Sequence, residues 1–152
     1  MPIVSPKQAY EYAYDKGVLF PNDWYITKNF KWNEVFTNEC KQDGIPMYEV
    51  FQNAYDIGQY IQQIRDELKK PINVHCWVRQ IPHNKRAGST AKYSAHINGC
   101  AIDFSVTGVS DSQVRALILA MKLPVRIEAN TKGWVHIDRT KYIPFKQGLF
   151  YV

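Results

Sequence analysis

The stretch 47–70, MYEVFQNAYDIGQYIQQIRDELKK, constrains this chain more than any other. Met47, Phe51, Ala54, Ile57, Ile61, Ile64 and Leu68 recur at three- and four-residue intervals, which places them along one face of an α-helix. Pro71 has no N–H to continue the ladder, so the helix must stop before it. INVHCWV (72–78) follows at once, and the alternation of Ile72, Val74, Cys76 and Val78 predicts a strand. The plain reading of this apolar stripe is that it packs into the core.

Other segments fit around this frame. SPKQAYEYAYDKG (5–17) predicts a short helix, with Ser5 as its cap, Pro6 in its first turn and Gly17 at its end. FPNDWYITKNFKW (20–32) is expected to be irregular. RQIPHNKRAGSTAKY (79–93) is a long polar loop, and loops of that length in a compact domain are uncommon and often functional. AIDFSV (101–106) predicts a second strand, and SDSQVRALILAMKL (110–123) a capped helix ending before Pro124. VRIEA (125–129) and WVHID (134–138) predict a hairpin around NTKG, followed by a Tyr/Phe-rich tail, 139–152. The order gives an α+β fold, a small antiparallel sheet flanked by helices. It forms one domain over 1–152, with residues 1–30 an N-terminal extension packed on it.

Composition excludes several classes. The 152 residues carry a net charge of +5, which favours acidic partners such as nucleic acid, anionic lipid or an acidic wall polymer. There is no basic helix, RNP-like strand or Gly-rich phosphate loop, so nucleic acid is not the expected partner. No apolar run reaches the length of a membrane span, and the N-terminus lacks the basic-then-apolar pattern of a signal peptide. The chain is therefore expected to be made in the cytoplasm; a monomer is expected, though nothing in the composition sets the oligomeric state. Cys40, Cys76 and Cys100 form no CxxC pair, which argues against a disulfide framework or a cysteine zinc ribbon.

SAHINGCAIDF (94–104) carries the chemistry. His96 and Asp103 flank a small-residue stretch in which Gly99 lets the backbone turn sharply. His136 lies in the apolar strand WVHID. Two near ligands and one remote ligand are how catalytic zinc sites are commonly built, and imidazole and carboxylate both suit zinc. By spacing alone, a lone histidine in an apolar strand is more often a hydrogen-bonded core residue than a metal ligand, and His–Asp is also a frequent surface pair.

Ser94, His96, Gly99, Ala101 and Asp103, with Trp134 and His136 further on, resemble the pattern S-x-H-x-x-G-x-A-x-D … W/F-x-H of the M15-type zinc peptidases. These are the D-Ala-D-Ala carboxypeptidases, the dipeptidases and the phage L-Ala-D-Glu endolysins. VHCWVRQ resembles that family's strand ending in Tyr-Arg-Ser, and the likeness extends over roughly residues 30–138. It implies a hedgehog/DD-peptidase-like fold and one zinc per chain, held by His96, Asp103 and His136. It also implies that Arg79 holds the substrate carbonyl or its oxyanion, and that Ser94 and Trp134 contact substrate. The implied activity is hydrolysis of peptide bonds in peptidoglycan stem peptides, D,D- or L,D-specific, of the endolysin or carboxypeptidase type. A chain without a signal peptide would then reach the cell wall by phage delivery, as part of a virion, or through a holin. The alternative is a non-catalytic zinc-binding domain with a binding or assembly role.

One position departs from the pattern. Many members carry the catalytic acid or base three residues before the last histidine, where this chain has Gly133. If NTKG closes as a three-residue loop with Gly133 left-handed, Glu128 falls opposite His136 and can take a proton from the attacking water. A four-residue loop would turn Glu128 to the other face. Asp138 shares the His136 face in either case and is the second candidate, or else a residue that orients a ligand histidine. Cys100 reads as a small buried thiol, and His75 and His83 as structural or loop residues.

Overall fold

The computed structural model describes residues 2–17, 19–36, 45–79, 95–139 and 146–152. Helix α1 (Pro6–Lys16) starts at Ser5, whose side chain accepts from the Gln8 N–H, and closes on Gly17 at φ +88°. Helix α2 (Met47–Leu68) buries Val50, Phe51, Ala54, Ile57, Gly58, Ile61 and Ile64, the face drawn by its periodicity. Helix α3 (Asp111–Met121) is capped by Ser110 and buries Val114 and Ile118.

The segment 20–32 is not irregular throughout. Strands β1 (Tyr25–Thr27) and β2 (Phe30–Lys31) form an antiparallel hairpin, and a 3-10 turn follows at Trp32–Glu34. Two strands this short carry little periodicity of their own. Gln62 of α2 supplies the missing support: its Oε1 accepts from the Thr27 hydroxyl at 2.8 Å and from the Asn29 N–H at 2.9 Å. Residues near the N-terminus belong to the same core as the sheet. Val4 and Phe20 join it, and the Trp32 indole donates to the Val4 carbonyl at 2.9 Å.

The main sheet has the order β3-β4-β6-β5-β7, with β3 at Ile72–Cys76, β4 at Ala101–Val106, β5 at Arg126–Glu128, β6 at Val135–Asp138 and β7 at Gly148–Phe150. Pairs β3·β4, β4·β6 and β5·β6 are antiparallel, as expected. Strand β7 comes from the aromatic tail and runs parallel to β5. One face carries Ile72, Ile102, Phe104, Val106, Ile127, Val135 and Ile137, all buried in one core with the apolar faces of α2 and α3. The alternating residues, among them Asp103, Arg126, His136 and Asp138, necessarily share the other face. Much of the aromatic content goes into the core: Trp32 and Phe36 pack on Phe51 with ring centroids 5.5 and 4.7 Å away.

The alternation along β3 breaks once. Ile72 and Val74 pair with Val106 and Phe104 on the core side, and then the register shifts between Val74 and Cys76. Cys76 therefore lies opposite Asp103, where the sequence pattern had aligned it with the core. Bulges re-aim side chains in this way beside functional sites.

Candidate metal centre

His96 occupies a tight turn, 95–99, immediately before β4. Gly99 has φ +76°, and a Cβ there would lie 2.6 Å from the Val50 carbonyl of α2. The turn is fastened on both sides: Asn53 of α2 donates to the Asn98 carbonyl at 2.9 Å, and the Arg79 N–H donates to the His96 carbonyl at 3.1 Å. This is why the motif needs glycine at that point. The backbone rests on the helix with no room for a side chain, and His96 is thereby aimed at β4.

Asp103 and His136 are paired residues of β4 and β6. Three groups converge on the Asp103 carboxylate: His96 Nε2 at 3.2 Å, His136 Nδ1 at 2.7 Å and Arg79 Nη2 at 3.6 Å. Asp103 and both imidazoles are buried, and the two rings lie 5.2 Å apart. The outer ring nitrogens are held as well. His96 Nδ1 lies 2.9 Å from the Trp77 carbonyl, which can only accept, so this nitrogen carries a hydrogen. His136 Nε2 lies 2.7 Å from Asp138 Oδ2. Each histidine is thus fixed on its outer side with its inner nitrogen turned to the carboxylate. That is the orientation a metal-ligating histidine takes.

Electrostatics bind the cluster further. Burial disfavours charge on His96, yet its bonds to Asp103 and Cys76 outweigh that and push its pKa up to about 10. Burial likewise opposes ionisation of Asp103, but the two imidazoles hold its carboxyl well below the usual range. His136 is raised against burial by Asp103 and Asp138, and Asp138 is lowered against burial by His136 and Arg126. A divalent cation would take the place of the inner protons among the same donors, two imidazole nitrogens and a carboxylate. That set fits such an ion.

The other expected site residues are placed as follows. Arg79 stands just after β3, beside Asp103. Asp138 has both oxygens engaged, since Arg126 Nε and Nη2 reach them at 2.7 and 3.0 Å. In β5·β6, Arg126 pairs with Asp138 and Ile127 with Ile137. Continued one step past these pairs, the register would set Glu128 opposite His136; on its other side Glu128 pairs with Phe150. Gly133 has φ +93° and its N–H donates to Asp111 at 2.9 Å, within a connection, 129–134, that is longer than the expected three-residue loop. Glu128 is half-buried, and among the described residues it has no hydrogen-bond or ion-pair partner. Trp134 is exposed and stands just before β6, two positions before His136. Ser94 and His83 lie outside the described residues. Cys100 is buried, with its thiol 3.7 Å from the Asn98 carbonyl, and exposed His75 bonds Ser105 at 2.8 Å.

Sequence reasoning missed Cys76. Its Sγ lies 3.7 Å from His96 Nδ1, and ligand atoms of Cys76, His96 and Asp103 lie within 4.8 Å of one another. Burial raises this thiol's pKa, but His96 and Arg79 lower it more. The only sequence signal was its position three residues before Arg79.

The fold and the centre define a class: an α+β domain with His96, Asp103 and His136 buried together, in which Cys76, His96 and Asp103 offer ligand atoms within 4.8 Å of one another. The family model described as Peptidase M15 matches residues 28–138, and the chain belongs to that peptidase family. No curated protein matches the chain significantly. No helix among the described residues is long and apolar enough to cross a membrane.

Proposed function

We propose that this chain is a zinc-dependent peptidase that hydrolyses peptide bonds in bacterial peptidoglycan stem peptides. The observation that carries the reading is the convergence of His96 Nε2, Asp103 and His136 Nδ1, with both outer ring nitrogens already held by Trp77 and Asp138. Three protein ligands leave a position open, and zinc bound there would supply a polarised carbonyl and a water of lowered pKa. Arg79 orients the scissile carbonyl and stabilises the charge that develops on its oxygen. Glu128 takes the proton of the attacking water and passes it to the leaving amine. Trp134 and Ser94 hold the peptide beside the centre. The net charge of +5 supports an anionic wall as the substrate's setting. The place of action is the cell wall, reached by phage delivery or through a holin.

Gly133, set in its turn by the Asp111 bond, is what favours a second reading, a zinc domain that binds without cleaving. One experiment separates the two. Zinc content and digestion of purified peptidoglycan are measured on wild type and on His136→Ala. About one zinc per chain, lost with His136 together with the release of new peptide termini, supports the peptidase. Zinc without cleavage supports the binding domain. No metal in wild type supplied with zinc overturns both.

A further inference from the structure

Behind His136 lies a group that the metal centre itself does not require. The guanidinium of Arg126 grips both oxygens of Asp138, through Nε at 2.7 Å and Nη2 at 3.0 Å. Asp138 Oδ2 in turn meets His136 Nε2 at 2.7 Å, and His136 Nδ1 meets Asp103 Oδ1 at 2.7 Å. Phe150 closes the other side. The Arg126 guanidinium lies over its ring, 4.0 Å from the centroid, and the Phe150 and His136 rings meet edge to face with centroids 6.0 Å apart. Strand β7 brings Phe150 there by pairing it with Glu128 in a parallel register.

A carboxylate held by one imidazole alone can swing about its side-chain bonds, and the ring swings with it. A bidentate guanidinium removes that freedom, because its planar fork matches both oxygens at once. The aromatic face fixes the plane of the fork in its turn.

We infer that Arg126, seated on Phe150, is a positioning residue that sets the orientation of the His136 ring through Asp138. This rests on the reading of His136 as a metal ligand. Arg126 does not touch the centre directly and acts on it through the Asp138 carboxylate, while Phe150 also meets the His136 ring edge to face. Strand β7, which lies outside the matched span 28–138, is then part of the working site.

The test is the affinity and visible spectrum of cobalt(II) titrated into the metal-free full chain. Arg126→Gln, Arg126→Lys and Phe150→Leu are compared with wild type, and Arg115→Gln is the control. Arg115 ties the β5–β6 loop through the Thr131 hydroxyl at 2.6 Å and does not contact Asp138. Removing a partner that orients a metal-ligating histidine weakens metal binding roughly 10–100-fold, so Arg126→Gln should fall in that range. Arg126→Lys should recover part of the loss, Phe150→Leu should show a smaller loss, and each should shift the cobalt d–d bands. Arg115→Gln should bind as wild type does, even if it melts earlier. Arg126→Gln within twofold of wild type, or Arg115→Gln as impaired as Arg126→Gln, overturns the inference while leaving the metal reading intact. If Arg126→Gln does not fold, Phe150→Leu decides, and an unchanged spectrum and affinity there count against it. Wild type that takes up no cobalt overturns the metal reading and this inference together.

Discussion

Asp103 and His136 are direct neighbours across β4 and β6, and the strand register alone brings Asp103 Oδ1 to 2.7 Å from His136 Nδ1. With His96 and Arg79 on the same carboxylate, Asp103 holds together three groups that would otherwise face one another as like charges. Removing one partner of a buried ion pair costs about 3–5 kcal/mol, because the remaining charges are left uncompensated. Asp103→Ala is therefore expected to lose metal and also to be markedly less stable than His136→Ala at neutral pH. Denaturant unfolding of the two metal-free variants checks this, and equal midpoints would count against a shared central carboxylate.

The metal-free protein should be most stable in mild acid. His96 holds its proton more tightly when folded, so its pairing contributes fully below its ordinary value of 6.5 and is lost as pH climbs through about 10. Asp103 is displaced the other way, so its contribution is present above 3.8 and fades as pH falls below that. Zinc reverses the upper limb, since the ion must displace protons and binds more tightly as pH rises. Melting midpoints from pH 4 to 10, with chelator and with zinc, should diverge as pH increases. Parallel curves would mean that these imidazoles do not exchange protons for metal.

Gly99→Ala should damage the centre from behind. A non-glycine residue at φ +76° costs roughly 1–3 kcal/mol in backbone strain. The added Cβ would also meet the Val50 carbonyl at 2.6 Å, so the turn has to lift off α2 and carry His96 with it. The expected result is a lowered melting midpoint together with weakened metal binding. A drop in stability with unchanged metal affinity would show that the turn does not position His96.

The parts of the fold that were legible in the sequence were those written in local periodicity. Helix α2 showed its buried face in the spacing from Met47 to Leu68, and the capped helices α1 and α3 showed their starts at Ser5 and Ser110. Gly133 marked a positive-φ turn position, while the β5–β6 register rests on the pairs Arg126–Asp138 and Ile127–Ile137. What stayed hidden depends on distant partners. The β1–β2 hairpin needs Gln62 of α2, and β7 needs a parallel neighbour remote in sequence. Cys76 was aligned with the core because an alternating pattern has no way to announce a bulge. The His–Asp–His centre was recognisable as an ordered motif. The Arg126–Asp138 grip was not, since nothing in the spacing of the two residues marks them as partners.

Glu128 and Asp138 share a sheet face with His136, and their surroundings predict opposite behaviour. Both oxygens of Asp138 are occupied by Arg126 and His136, so Asp138→Asn should act chiefly on metal binding. Glu128 is half-buried with no hydrogen-bond or ion-pair partner among the described residues, and it follows Ile127, the last residue of β5 paired to β6. A general base contributes roughly 10²–10⁴-fold to rate. Glu128→Gln should therefore lower kcat on a stem-peptide substrate by that order while leaving zinc content and KM near wild type. Parallel measurement of zinc content and turnover in the two variants checks the assignment. Undiminished turnover in Glu128→Gln would remove it from the mechanism, whatever Asp138→Asn does.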